Sequence, residues 1–126
     1  MLVVGVRIKT ELRSMTQPSG ADRRRYSRVL GPFDGNRIGA LKTPVRIFDL
    51  NEGGCFVNAV HEQALGTVIT LEIDLPYEGR IKVKAEVLYN KPDFGFATRF
   101  IEMTDEASAR LSRSLQQLRA LAVQSS

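Results

Sequence analysis

Four arginines fall within six positions in the stretch ADRRRYSRVLGP (residues 21–32): Arg23, Arg24, Arg25 and Arg28, with no acid after Asp22. A guanidinium fork meets phosphate oxygens or the O6/N7 edge of guanine in bidentate fashion, and its plane stacks on bases. A second polar cluster, Asp49-Leu50-Asn51-Glu52-Gly53-Gly54, stands between two apolar runs. There Asp49 offers a carboxylate acceptor and Asn51 both donates and accepts, while Gly53 and Gly54, lacking Cβ, admit positive φ and close backbone approach. Taken singly, the arginine run also reads as a solvated basic tail or a nonspecific nucleic-acid contact, and the acidic cluster as an ordinary hairpin turn.

Other chemistries find little support. One cysteine, Cys55, and one histidine, His61, rule out an internal disulfide and a zinc site built from Cys and His. A nucleophile–histidine arrangement would have to use His61, and neither a nucleophile elbow nor a GxxxxGK[ST] phosphate loop occurs, so no enzyme is expected. His61 and Cys55 read as loop and core residues. No apolar run approaches the ~18–20 residues of a membrane span, and no cleavable signal is visible after MLVVGV; a cytoplasmic location is expected. The net charge of +4 is unevenly spread. Residues 1–47 carry ten Lys/Arg against three Asp/Glu, and the remainder eight against eleven, which places any anion-binding function at the front of the chain.

The elements that must position these residues follow from periodicity. At 126 residues and 14.0 kDa the chain has room for one domain. Residues 1–22 read as a flexible leader broken by Pro18, Ser19 and Gly20, in which MLVVGVRI has strand composition and Met15 is a second candidate start beside Met1. From residue 37 the pattern is all-β. Val45 and Ile47, then Cys55, Val57 and Ala59, alternate on either side of DLNEGG. Ile69, Leu71, Ile73 and Leu75 form the inner set of a half-buried strand. Ile81, Val83, Ala85, Val87 and Tyr89 form that of the next, and Phe94, Phe96, Thr98 and Phe100 that of the last. Short strands separated by turns indicate a small barrel or sandwich, with the phenylalanines in its core rather than on a stacking platform. The period then changes. Thr104 is a good N-cap, Asp105 and Glu106 suit a first helical turn, and Ala107, Leu111, Leu115, Leu118 and Ala122 make one apolar stripe. A helix over about 104–123, capping a barrel end, is expected, with Arg110, Arg113 and Arg119 on its remaining faces.

In this order, ahead of a small β-barrel pattern, the two polar stretches resemble the PilZ family of cyclic di-GMP receptors. The family's signature is an RxxxR segment before the barrel and a [D/N]xSxxG turn between its first strands. Arg24-Arg25-Tyr26-Ser27-Arg28 supplies the first, the only register the tripled arginine allows, and DLNEGG the second, with Asn51 where the family has Ser. GFATRF followed by TDEASARLSRSL is similar to the family's last strand and C-terminal helix.

The resemblance covers residues 23–120. It implies an all-β domain with a C-terminal helix, an antiparallel β-barrel of about six strands occupying residues 23–126. It also implies a non-enzymatic bacterial receptor with no cofactor beyond its ligand. Arg24 and Arg28 would grip the phosphodiesters and guanine edges, Asp49 would accept guanine N–H groups, and Asn51, Gly53 and Gly54 would complete the turn. Arg23 would meet a second ligand copy or stay solvated. Arg25 reads as spare, and Tyr26 as packed against the barrel. The arm would become ordered on binding and pass the signal to a separate protein partner, the receptor itself being a monomer or homodimer. Two rival readings stay open: a protein-interaction module of the same fold that has lost nucleotide binding, and a small barrel that binds RNA or DNA.

Overall fold

Alternation in steps of two accounts for most of the core. The computed structural model describes residues 27–125. Its strands are β1 (Phe33–Ile38), β2 (Lys42–Asn51), β3 (Gly54–Asn58), β4 (Val68–Leu75), β5 (Gly79–Lys91) and β6 (Gly95–Glu102), followed by helix α1 (Asp105–Ser125). The strands close a barrel in the order β1-β2-β3-β6-β5-β4, each neighbour antiparallel. Of the barrel and the sandwich that the strand pattern allows, the chain adopts the barrel, which leaves no sheet edge unpaired.

The interior is filled by Ile47, Leu50, Val57, Leu71, Ile73, Val83, Val87 and Phe96, each almost fully removed from water. Burial of each such side chain contributes about 1.5–3 kcal/mol. On β4 the inner set Ile69, Leu71, Ile73 and Leu75 is as expected from its alternation, and so is Ile81, Val83, Ala85 and Val87 on β5. Two aromatics depart from the expected core. Tyr89 is 56% exposed, because the β5–β6 register shifts between Val87 and Tyr89, and an extra residue in one strand reverses the faces beyond it. Phe94 is also 56% exposed: it lies in the turn before β6, where the Lys91 ammonium sits 5.2 Å from its ring centroid. Strand β1 begins ahead of residue 37, where the all-β pattern was expected to start. It alternates poorly because Gly35 occupies its central inward position, where a Cβ would overlap the Glu72 carbonyl oxygen.

Helix α1 covers one barrel end, the one where the β2–β3 and β4–β5 turns and the exit of β6 meet. Thr104 caps it, its hydroxyl accepting from the Ala107 N–H at 3.0 Å, a contact worth about 1 kcal/mol. Ala107, Leu111 and Leu115 are buried and Leu118 is partly so, while Ala122, the last member of the expected stripe, is exposed. The helical arginines do more than decorate the outer face. Arg110 donates to the Glu78 backbone carbonyl, with Nε at 3.1 Å, and Arg113 to the Glu78 carboxylate at 3.0 Å. The buried Ser114 hydroxyl donates to the Pro76 carbonyl at 2.7 Å. Together they fasten the first half of the helix to the β4–β5 turn.

Candidate functional site

The turn between β2 and β3 is built around a residue in an unusual conformation. Asp49 has φ +52°, in the left-handed region that Asp and Asn tolerate best among residues with a Cβ. It falls where the β2–β3 register shifts between Phe48 and Asn51. Such a bulge re-aims side chains; here the Asp49 side chain faces an open cleft, and its carboxylate has no hydrogen bond or ion pair among the described residues. One turn of chain further, Asn51 Oδ1 accepts from the Gly53 N–H at 2.8 Å and the Gly54 N–H at 3.0 Å. This is the local side-chain mimicry that makes Asn a turn former.

That geometry redistributes the roles expected along DLNEGG. Neither Gly53 nor Gly54 has a positive φ; the left-handed residue is Asp49. Gly54 is required for close approach, since a Cβ there would overlap the Thr98 carbonyl oxygen and stand 3.2 Å from Arg99 Cα on β6. Gly53 is exposed and open, its nearest neighbour for a Cβ being Asn51 Oδ1 at 3.5 Å. Asn51 therefore shapes the turn through its carbonyl oxygen. Asn51→Ala is expected to cost about 1–2 kcal/mol, because two amide donors lose their acceptor. Denaturant unfolding would register it; a midpoint equal to wild type would show that the turn holds without the side chain.

The arginine segment enters the site at its C-terminal end. Val29 and Leu50 exchange backbone hydrogen bonds, N–H to O=C at 2.8 and 2.9 Å, and the Asp49 N–H donates to the Leu30 carbonyl at 3.1 Å. Residues 27–30, which include Arg28, thus lie against the end of β2. The Arg28 side chain is exposed, lines the cleft, and has no partner among the described residues. Arg23, Arg24, Arg25 and Tyr26, with the leader 1–22, lie outside the described residues. Of the seven expected site residues, the structure gathers Arg28, Asp49, Asn51, Gly53 and Gly54 on one cleft of about 500 Å³, within the range typical of small-molecule sites.

Sequence reasoning missed the far wall of that cleft: Phe56, Leu88, Tyr89, Ala97 and Arg99. Phe56 on β3, Ala97 on β6 and Tyr89 on β5 stand in register side by side. The small Ala97 leaves a trough between the two aromatic residues. Arg99 is paired with Glu86 on β5. Alternation along GFATRF places Arg99 outward and could have pointed to this wall, whereas Tyr89 was hidden by the bulge. Cys55 also lines the cleft, yet burial pushes its thiol up to about 12, against a smaller opposing effect of its hydrogen bond with Thr98, so it stays protonated. A larger concavity of about 1140 Å³ borders β1 and β2. Its arginines are largely matched by acids, as in Arg46–Asp34 at 3.6 Å and Arg80–Asp74 at 2.6 Å, and it includes none of the expected site residues.

A closed six-stranded antiparallel barrel, capped by one helix and presenting a turn-and-arginine cleft on its outer wall, defines a class of small β-barrel domain. The family model described as PilZ domain matches residues 22–117, and the chain belongs to that family. Comparison of the sequence with curated proteins returns no match. Among solved structures, the Bacillus subtilis inhibitor of motility MotI/DgrA is similar with a TM-score of 0.62 and 21% identity, over 75% of this chain and 50% of that one. The chain thus spans half the length of that protein. The PilZ domain of YcgR from Escherichia coli, solved with c-di-GMP, is similar with a TM-score of 0.58 and 16% identity, over 79% of this chain and 92% of that one. At these identities the likeness establishes the shared fold.

Proposed function

We propose that the protein is a non-enzymatic receptor for cyclic di-GMP, which it holds in the cleft between the arginine segment and the Asp49–Gly54 turn. The observation that carries this reading is the pairing, across one cleft, of an exposed guanidinium at Arg28 and a carboxylate at Asp49, neither engaged by another described side chain. The two charges complement the two kinds of group the ligand carries, phosphodiester anions and guanine N–H donors. Arg28, joined by Arg24, meets the phosphodiesters and the guanine O6/N7 edge. Asp49 accepts from the guanine N1–H and N2–H groups. Phe56 and Tyr89 offer apolar surface for a base, a contact worth about 1–3 kcal/mol per stacked base. Family membership and the likeness to a c-di-GMP-bound PilZ domain support the same ligand.

The receptor acts in the cytoplasm of a bacterial cell and reports occupancy to a separate protein. The test is a calorimetric titration with cyclic di-GMP, run beside cyclic di-AMP and a single-stranded oligonucleotide. Saturable binding of cyclic di-GMP, at least about tenfold tighter than that of cyclic di-AMP, is expected, because adenine presents no N1–H donor to Asp49. Absence of heat at tens of micromolar ligand would leave an interaction module of PilZ fold. Binding of the oligonucleotide with steep salt dependence would point to a nucleic-acid binder instead.

A further inference from the structure

One arginine is bonded to a residue that borders the cleft without lining the cleft itself. Arg119 lies on α1 four residues beyond the buried Leu115, where the inner stripe of the helix runs off the core and over the β2–β3 turn. Its guanidinium forms a fork–fork pair with the Glu52 carboxylate, Nη1 to Oε2 at 2.8 Å and Nη2 to Oε1 at 2.9 Å. The same group donates through Nε, at 3.1 Å, and through Nη2 to the backbone carbonyl of Ser27. One side chain therefore ties the helix, the tip of the Asp49–Gly54 turn and the residue just before Arg28. Both partners are only about a fifth exposed, at 23% and 21%, so the pair is better shielded from screening than the barrel's surface ion pairs.

We propose that Arg119 is a positioning residue of the nucleotide site, acting on the ligand through Ser27 and Glu52. This rests on the reading of the cleft as a cyclic di-GMP site. Two physical effects follow from the geometry. Fixing the Ser27 carbonyl sets where the Arg28 backbone stands relative to Asp49, which lowers the ordering cost of gripping the ligand. Neutralising Glu52, which itself borders the cleft, removes a carboxylate that would otherwise repel a phosphodiester. Lysine is not an equivalent, because its ammonium cannot form the fork and reach the carbonyl together. Arg110, Arg113 and Ser114 hold the helix at the other turn, so removal of Arg119 should leave α1 in place.

The experiment compares wild type, Arg119→Gln and Arg119→Lys by calorimetric titration with cyclic di-GMP, and by backbone amide exchange in the ligand-free proteins. Arg119→Gln is expected to weaken binding about tenfold and to accelerate exchange at the Val29 and Leu50 amides, leaving the Val83 amide and the helix signal by circular dichroism unchanged. Arg119→Lys should recover part of the affinity, since it still neutralises Glu52. Arg119→Gln binding within twofold of wild type, with exchange at Val29 and Leu50 unaltered, would overturn the proposal. Should wild type fail to bind, the functional reading of the cleft falls by itself. Amide exchange then decides whether Arg119 holds the segment, with acceleration sustaining that part and unaltered rates refuting it.

Discussion

Arg28→Ala is expected to weaken cyclic di-GMP binding by about 10–100-fold while leaving the Tm of the free protein within a degree or two. The loss follows from removing charge-assisted hydrogen bonds, each worth about 1.5–3 kcal/mol. The unchanged Tm follows from the structure. The Arg28 side chain is exposed and unengaged among the described residues, and the segment that carries it is held by the backbone bonds of Val29 and Leu30 and by Arg119 on Ser27. Exposed substitutions of this kind usually shift stability by no more than about 0.5 kcal/mol. Titration calorimetry and thermal unfolding of the same preparation read both quantities. A Tm lowered by many degrees would assign Arg28 a structural role, and unchanged affinity would remove it from the site.

The neighbouring glycines should separate sharply. Gly54→Ala must force a Cβ into the Thr98 carbonyl oxygen, where β3 and β6 pair as Gly54↔Arg99 and Cys55↔Thr98. Backbone on both sides has little room to yield, so about 3 kcal/mol of destabilisation is expected, roughly 10–20 °C in Tm for a domain of this size. Ligand affinity should fall with it, because the same strand pair carries Phe56, Ala97 and Arg99 into the cleft. Gly53→Ala, at a position without positive φ and with open space around it, should change Tm by no more than a degree or two. Equal melting of the two variants would contradict the assignment of Gly54 as the close-approach residue.

How much of this was legible in the sequence depends on whether local period or tertiary context decides. Strand β4 and the first half of β5 obey strict alternation because one face is buried throughout, so their inner residues could be read directly. Helix α1 announced itself through Thr104, the acidic first turn and the four-residue spacing of its stripe. Three features broke the reading. At the β5 bulge a single extra residue reverses the alternation, which turned Tyr89 from an expected core residue into part of the cleft wall. In β1 a glycine holds the central inward position, and no pattern marks a strand whose inward site is empty. Along DLNEGG the residue types marked a turn between two strands but pointed to the wrong atoms in it. The glycines suggested positive φ, yet the left-handed residue is Asp49 and the constraint at Gly54 comes from a strand more than forty positions away. The contacts of Arg119 were out of reach for a similar reason, since it joins Glu52 and Ser27 only once the barrel has closed.

Backbone amide chemical shifts followed by NMR during titration with cyclic di-GMP test the central claim most directly. The largest changes are expected at Arg28, across Asp49–Gly54 and at Tyr89 and Arg99, with β1 and β4 nearly unaffected. Changes centred instead on the larger concavity beside β1 and β2, which Arg37, Arg46 and His61 line, or none at saturating ligand, would contradict it.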